Sequence, residues 1–291
     1  MLFPAKGDDM RLAINGATTM TADLETDIRS AAAAGFELVE LRSNKLYDYL
    51  EKHTVEDLKQ LLAETGVGVL SINTLEHITW RSDEDYAAIK EECEKLSAIS
   101  AAIGCPYVLS VPGALRQGPR TDEETIEESV RVLNELADIA EPHGIKLGFE
   151  FLGEAGNSVT TLDLGSKIVN LVGRESVGNV IDTYHFYAGS SSWEALENLD
   201  PQKLFIFHIN GAEDLPKDQL NDSKRLYPGE GVLPIAKMKE TLDKIGYEGP
   251  ASVEIFRPEY WERDPFVVTK EAKEAAEKAL GLGKYTAGGS W

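Results

Sequence analysis

Four short apolar runs in the second half of the chain carry a potential metal ligand at or near their ends. KLGFEF carries Glu150, VIDTYHF carries Asp182, KLFIFHIN carries His208 and PASVEIF carries Glu254. A buried carboxylate is costly unless it is paired or bound to a metal. Acids at the ends of buried strands therefore need a common partner. Three carboxylates and one imidazole make a hard, mixed oxygen and nitrogen set. Such a set suits one divalent ion, Mn²⁺, Zn²⁺, Co²⁺ or Mg²⁺, and the ligand types alone do not choose among them. A cation held this way can grip a carbonyl and a neighbouring hydroxyl and spread the charge of an enediolate as a Lewis acid. Glu150 and Glu254 can act both as ligands and as proton carriers if each keeps one oxygen free.

Each residue taken singly has a plainer reading. A glutamate on a strand is most often an exposed face residue. Asp182 alone reads as a helix cap, and His208 alone as a satisfied core histidine. Their joint appearance on four successive strands is what points to a metal centre. His185 follows Asp182 by three residues. It is expected to overhang the same mouth and meet a substrate oxygen, against the alternative of packing among Tyr184, Phe186 and Tyr187. Arg257 is a candidate for a substrate oxygen or for pinning a carboxylate, with a surface ion pair as its alternative. Arg225, in KRLYPGEG, either binds substrate or orders its loop. Glu76, His77 and Trp80 are candidates to line the mouth, against an ordinary loop reading, and Trp193 reads as core.

The elements that must position these residues follow a regular alternation. Strands are expected at Arg11 to Asn15, around GFELVELRS, at GVGVLSIN, at YVLSV, and at Lys146 to Phe151. Three more follow at Val177 to Asp182, Leu204 to Ile209 and Ala251 to Ile255. Apolar residues at helical spacing fall between them, as with Leu58, Leu61 and Leu62, or Ile126, Val130, Leu133 and Leu136. The last helix is expected over roughly Thr269 to Ala279. Near-continuous apolar strands covered by helices argue for a parallel sheet. Eight repeats, with no Gly-x-Gly-x-x-Gly after the first strand, favour a single closed (β/α)8 TIM barrel in the α/β class over a doubly wound sheet. Its active site is expected at the C-terminal mouth, where neighbouring strand ends converge. Residues 10–284 are expected to form the barrel, with 1–9 as an N-terminal extension and 285–291 as a tail.

The 291 residues suffice for one such barrel. A net charge of −21 repels phosphate backbones, so nucleic acid is excluded as an expected partner. There is no apolar run long enough for a membrane span and no signal-peptide pattern at the start. The two cysteines, Cys93 and Cys105, lack metal spacing and read as thiols of a reducing, cytoplasmic compartment.

INGATTM, ADIAEPHGIKLGFEFLG, VIDTYHF, LFIFHINGAED, RLYPGEG and SVEIFRPEYW together resemble the sugar isomerase/epimerase superfamily of xylose-isomerase-like TIM barrels, and within it the inosose isomerases. The likeness runs from about Leu12 to the last helix. It implies that Glu150, Asp182, His208 and Glu254 hold the divalent metal and that the two glutamates move the proton. The implied substrate is a cyclic polyol ketone or a ketose, and a homodimer is an open expectation. The implied reaction moves a carbonyl between adjacent carbons of 2-keto-myo-inositol through an enediol. A ketose 3-epimerase and a dehydratase of a cyclic keto acid are the alternatives on the same metal site. Asn210 stands where an acidic residue is expected two positions after the histidine. TLEHITWR is also more polar than the family's version of that loop.

Overall fold

The computed structural model describes residues 10–115 and 120–282. The expected extension 1–9 and tail 285–291 lie outside the described residues. The strands are β1 (Leu12–Asn15), β2 (Leu38–Arg42), β3 (Gly68–Leu75), β4 (Tyr107–Ser110), β5 (Lys146–Glu150), β6 (Val177–Asp182), β7 (Leu204–Ile209), β8 (Gly211–Ala212), β9 (Arg225–Leu226) and β10 (Ala251–Val253). Eight of them close a parallel barrel in the order β1-β10-β7-β6-β5-β4-β3-β2, and β8 pairs antiparallel with β9 above the mouth. The α-helices are α1 (Leu24–Ala34), α2 (Ser43–Leu50), α3 (Val55–Thr65), α4 (Asp83–Ile103), α5 (Asp122–Ala140) and α6 (Leu162–Val172). They continue with α7 (Thr183–Ala188), α8 (Trp193–Glu197), α9 (Ile235–Ile245), α10 (Pro258–Trp261) and α11 (Pro265–Leu280). Among the described residues no helix is long and apolar enough to cross a membrane.

Local chemistry sets the helix ends. Thr54, Ser82 and Thr121 each close a capping box with the acid three residues on, Asp57, Asp85 and Glu124. Gly35 and Gly66 take the left-handed conformation that ends α1 and α3. Helix α11 starts at Pro265 rather than near Thr269, because Asp264 caps it ahead of a proline in the first turn.

The main apolar core lies between the barrel wall and the helices. A smaller one fills the barrel interior and includes Leu38, Tyr107, Leu109, Val180, Phe205 and Ile206. Side chains two apart on a strand share a face, so the same interior rows continue upward as Glu40 above Leu38, Asp182 above Val180 and His208 above Ile206. The interior therefore changes from apolar to ionic towards the mouth.

Two short helices that the periodicity does not reveal, α2 and α7, start directly at strand ends. In α2, Lys45 Nζ donates to the carbonyls of Gly16 (2.9 Å) and Thr19 (2.8 Å) and to Asp27 Oδ2 (2.7 Å). These bonds tie the helix to the end of β1. Helix α7 is held by Asp182, whose Oδ1 accepts from the backbone N–H groups of Tyr184 (2.6 Å) and His185 (3.0 Å). It packs flush on the loop after β5. A Cβ on Gly153 would stand 2.2 Å from the His185 carbonyl oxygen and 2.7 Å from the Gly189 nitrogen.

Gly153→Ala is expected to force these backbones apart and destabilise the protein by about 1–3 kcal/mol, the usual cost of overpacking. Urea unfolding measures this, and an unchanged midpoint contradicts the packing described.

Candidate metal centre

Glu150, Asp182, His208 and Glu254 each offer a ligand atom, and these atoms all lie within 4.8 Å of one another. All four side chains are buried. Glu150 ends β5 and Asp182 ends β6. His208 lies one residue before the end of β7, and Glu254 directly follows β10. The register pairs Asp182 with His208 across β6 and β7. The Glu254 N–H continues the ladder to the Ile209 carbonyl (3.3 Å).

His208 is the hub. Its Nδ1 lies 2.9 Å from Glu150 Oε1 and 3.4 Å from Glu254 Oε2. On the opposite edge, Nε2 faces Glu40 at 3.0 Å. Glu40 sits mid-barrel, fully buried, and accepts from Ser71 Oγ (2.6 Å) and from Ser252 Oγ. Burial alone would raise the Glu40 pKa, yet the facing imidazole and the two serines hold it below the usual carboxylate range. Burial likewise opposes the charged form of His208, but Glu40, Glu150 and Glu254 together push its pKa well above 6.5. A proton on His208 thus meets part of the negative charge in the cluster.

Arg225 supplies the permanent cation. Its Nη1 donates to Asp182 Oδ2 (2.8 Å) and Glu254 Oε2 (3.2 Å), and its Nη2 pairs with Asp222 Oδ1 (2.7 Å). The guanidinium lies over the rings of Tyr184 (4.7 Å) and Phe256 (5.1 Å). Burial works against ionised Asp182, and Arg225 outweighs it, so the acid stays below its ordinary value. Glu254 differs. Burial, reinforced by Glu150, lifts its pKa to about 8 despite His208 and Arg225. Four buried carboxylates thus share one imidazole and one guanidinium. Such a donor set, short of positive charge and converging within a few ångströms, fits one divalent cation held by Glu150, Asp182, His208 and Glu254. Were a cation held on the Nδ1 edge, Nε2 would keep its proton for Glu40, the kind of hydrogen bond that orients a ligating histidine.

The other candidate residues are placed as follows. His185 is buried beside Arg225. The Gly153 N–H and Arg225 Nη2 approach its two ring nitrogens at 3.2 and 3.1 Å. A neutral imidazole has one lone pair, so only one of these approaches is a hydrogen bond at a time. Arg225 is part of the centre, as described. Arg257 reaches none of the four ligands. Its Nη1 donates to Glu213 Oε1 (2.8 Å) and to the Arg225 carbonyl (3.3 Å), which braces β9 from outside. Glu76 is exposed and pairs loosely with Arg42 (3.6 Å). Trp80 packs its ring against Arg120 (4.5 Å) near the start of α4, and its backbone N–H donates to Glu128 (3.3 Å). His77 and Trp80 both take left-handed backbone angles, φ 55° and 58°.

Two residues at the centre are not singled out from sequence as partners of the ligands. Glu40 has a signal, since it lies between apolar Val39 and Leu41, with Ser71 and Ser252 also breaking apolar strands. Asn210 is flagged as a departure, and its place explains it. Its Nδ2 donates to Asp182 Oδ2 (2.9 Å) and its Oδ1 accepts from Thr183 Oγ1 (2.8 Å). An ionised aspartate lacks the donor and would add a further carboxylate against Asp182.

The xylose isomerase-like TIM barrel family matches residues 28–282. The chain belongs to this family and, within it, to the inosose isomerases. It is 35% identical to the inosose isomerase of Bacillus velezensis over 273 residues, 93% of this chain and 97% of that protein. It is also 35% identical to the inosose isomerase of Bacillus subtilis strain 168 over 271 residues, 92% of this chain and 96% of that one. A solved structure of the IOLI protein with a binding zinc atom superposes with a TM-score of 0.91 at 34% identity, covering 94% of this chain and 99% of that one.

Zinc binding is expected to strengthen as pH rises from about 6 to 8, because the cation must displace protons that His208 and Glu254 hold in its absence. Glu40→Gln keeps the shape but loses the charge behind His208, and is expected to weaken zinc by roughly 10- to 100-fold at each pH. Competition with a chromophoric chelator measures both. Equal zinc affinity for the variant and the native protein contradicts the role given to Glu40.

Proposed function

We propose that this chain is a divalent-metal-dependent isomerase that moves the carbonyl of 2-keto-myo-inositol to an adjacent ring carbon through an enediol. The reading rests on family membership and, in this molecule, on the cluster of Glu150, Asp182, His208 and Glu254 at the barrel mouth. A divalent ion held by these four residues supplies Lewis acidity to adjacent carbonyl and hydroxyl oxygens.

The chain's own groups carry the protons. A glutamate must take the proton from the carbon bearing the hydroxyl, while the carbonyl oxygen gains one, which gives the enediol. The former hydroxyl then gives up its proton to become the new carbonyl, and the former carbonyl carbon receives one. Glu150 and Glu254 are assigned to the carbon-proton steps. Burial lifts the Glu254 pKa to about 8 before any cation is bound, so its carboxyl takes up a proton more readily than an exposed one. Its Oε1 accepts from Asn15 Nδ2 (3.0 Å) and its Oε2 from Arg225 Nη1 (3.2 Å), and each oxygen keeps a second lone pair, which leaves capacity for both a cation and a proton. Arg225 and His185 form the buried wall beside them and hold the acids in place. The apolar interior below, with Tyr107, Leu109 and Val180 buried in it, keeps water from the floor. The two free, buried cysteines, Cys93 and Cys105, agree with a reducing, cytoplasmic setting.

Zinc- or manganese-loaded protein incubated with 2-keto-myo-inositol in D₂O is expected to yield a second inosose carrying deuterium at the former carbonyl carbon, read by NMR. Glu254→Gln is expected to lower the rate by at least about 10²-fold, in line with loss of a general acid-base group. Absence of exchange with any added divalent metal contradicts the assignment.

A further inference from the structure

Buried polar atoms without partners gather at the ends of β2 and β3, across the mouth from β6. Asn73 is 3% exposed, and among the described residues its Nδ2 has no hydrogen-bond partner. The same holds for Arg42 Nε and for Thr74 Oγ1. A buried donor left unmade costs about 1–3 kcal/mol, and such groups in a folded protein call for a ligand or another explanation.

The register shows where they face. Glu40 pairs with Ser71 and Arg42 with Asn73. Glu40 and Ser71 meet in the barrel interior beneath His208. Residues two further along share that face, so Arg42 and Asn73 form the next row up, at the mouth. They are locked together, because Arg42 Nη1 donates to Asn73 Oδ1 (2.9 Å). An arginine can only donate, so this bond fixes the amide's orientation and leaves Nδ2 as the free donor. The Arg42 guanidinium also faces the Phe256 ring at 5.6 Å, and Arg225 faces that same ring at 5.1 Å. Both arginines therefore pack on Phe256, which ties the Arg42–Asn73 pair to the arginine that touches Asp182 and Glu254. The only acid paired with Arg42 among the described residues is the exposed Glu76, at 3.6 Å.

We infer that Arg42 and Asn73 form a second arm of the substrate site, donating hydrogen bonds to ring hydroxyl oxygens of a cyclic polyol on the edge away from the metal ligands. This rests on the isomerase reading for the substrate class. The free groups are Nδ2 and Nε donors, which match neutral hydroxyl oxygens. A carboxylate or phosphate would instead have to displace Glu76 and enter a mouth already crowded with acids. The arm complements the cluster: one side of the ring meets the reacting groups, and the other is recognised by an amide and a guanidinium. A site built to hydrogen-bond a hydroxyl rejects an analogue lacking it, because its own donors are then left unpaired.

The test is the affinity of zinc-loaded full-length protein for 2-keto-myo-inositol and its monodeoxy analogues, by isothermal titration calorimetry. Asn73→Ala is expected to bind the parent ketone about 10-fold more weakly, with zinc affinity unchanged. One monodeoxy analogue is expected to bind the native protein about 10-fold more weakly, yet to bind Asn73→Ala no worse than the parent does. Arg42→Lys, which keeps the charge but not the fork, is expected to show the same loss. Native-like affinity in Asn73→Ala overturns the inference while leaving the isomerase reading intact. So does a loss that is equal for every analogue or accompanied by loss of zinc. Failure of the native protein to bind the ketone overturns both.

Discussion

The structure depends on one electrostatic constraint: four carboxylates are confined in a barrel interior with one imidazole and one guanidinium. Glu40, Glu150, Asp182 and Glu254 are all at most 3% exposed. Ionised groups in such a place survive only when paired and hydrogen-bonded. The molecule meets that demand in two tiers. Below, Glu40 is held by Ser71, Ser252 and His208. Above, Asp182 is held by Arg225, Asn210 and the start of α7. Glu254 has the least settled charge, and burial shows in its raised pKa. A centre that is short of positive charge without a metal is one that a divalent cation completes.

The long excursion between β7 and β10 follows from the same constraint. It delivers Arg225 on β9, and β8 pins β9 by two residue pairs. Arg257 holds the Arg225 backbone from behind. Asp222 and Phe256 complete the seat of the guanidinium. Truncating one partner of a buried charge pair is strongly destabilising, since the other is left uncompensated. The loop is therefore built as a rigid holder for one arginine, and Arg257 acts on the centre through that backbone rather than by touching the ligands.

The barrel and the residues that cluster at its mouth, Glu150, Asp182, His208 and Glu254, were legible in the sequence because parallel strands buried on both faces read as apolar runs. A lone acid or histidine interrupting such a run is conspicuous. Asp182 reads as a helix cap or as a ligand, and its two oxygens leave room for both: Oδ1 caps α7 while Oδ2 faces Asn210 and Arg225 in the cluster. The short helices α2 and α7 were not legible. Both α2 and α7 are too brief for a 3.6-residue period to declare itself, and each is fixed by contacts distant in sequence, Lys45 to Gly16 or His185 to Gly153. Glu40 was hidden for a related reason. In FELVELRS, Glu37 and Glu40 fall on opposite faces of the strand, and only barrel closure shows that it is Glu40 that turns inward onto His208. Trp80, weighed between the mouth and an ordinary loop, packs against Arg120, a pairing between loops that no periodicity encodes.

The most direct measurement is anomalous diffraction from a crystal of the protein soaked in Zn²⁺ or Mn²⁺. The account predicts a single strong peak bonded to Glu150, Asp182, His208 through Nδ1, and Glu254, with His208 Nε2 still hydrogen-bonded to Glu40. A peak elsewhere, or none at this cluster at a metal concentration that supports turnover, would contradict it.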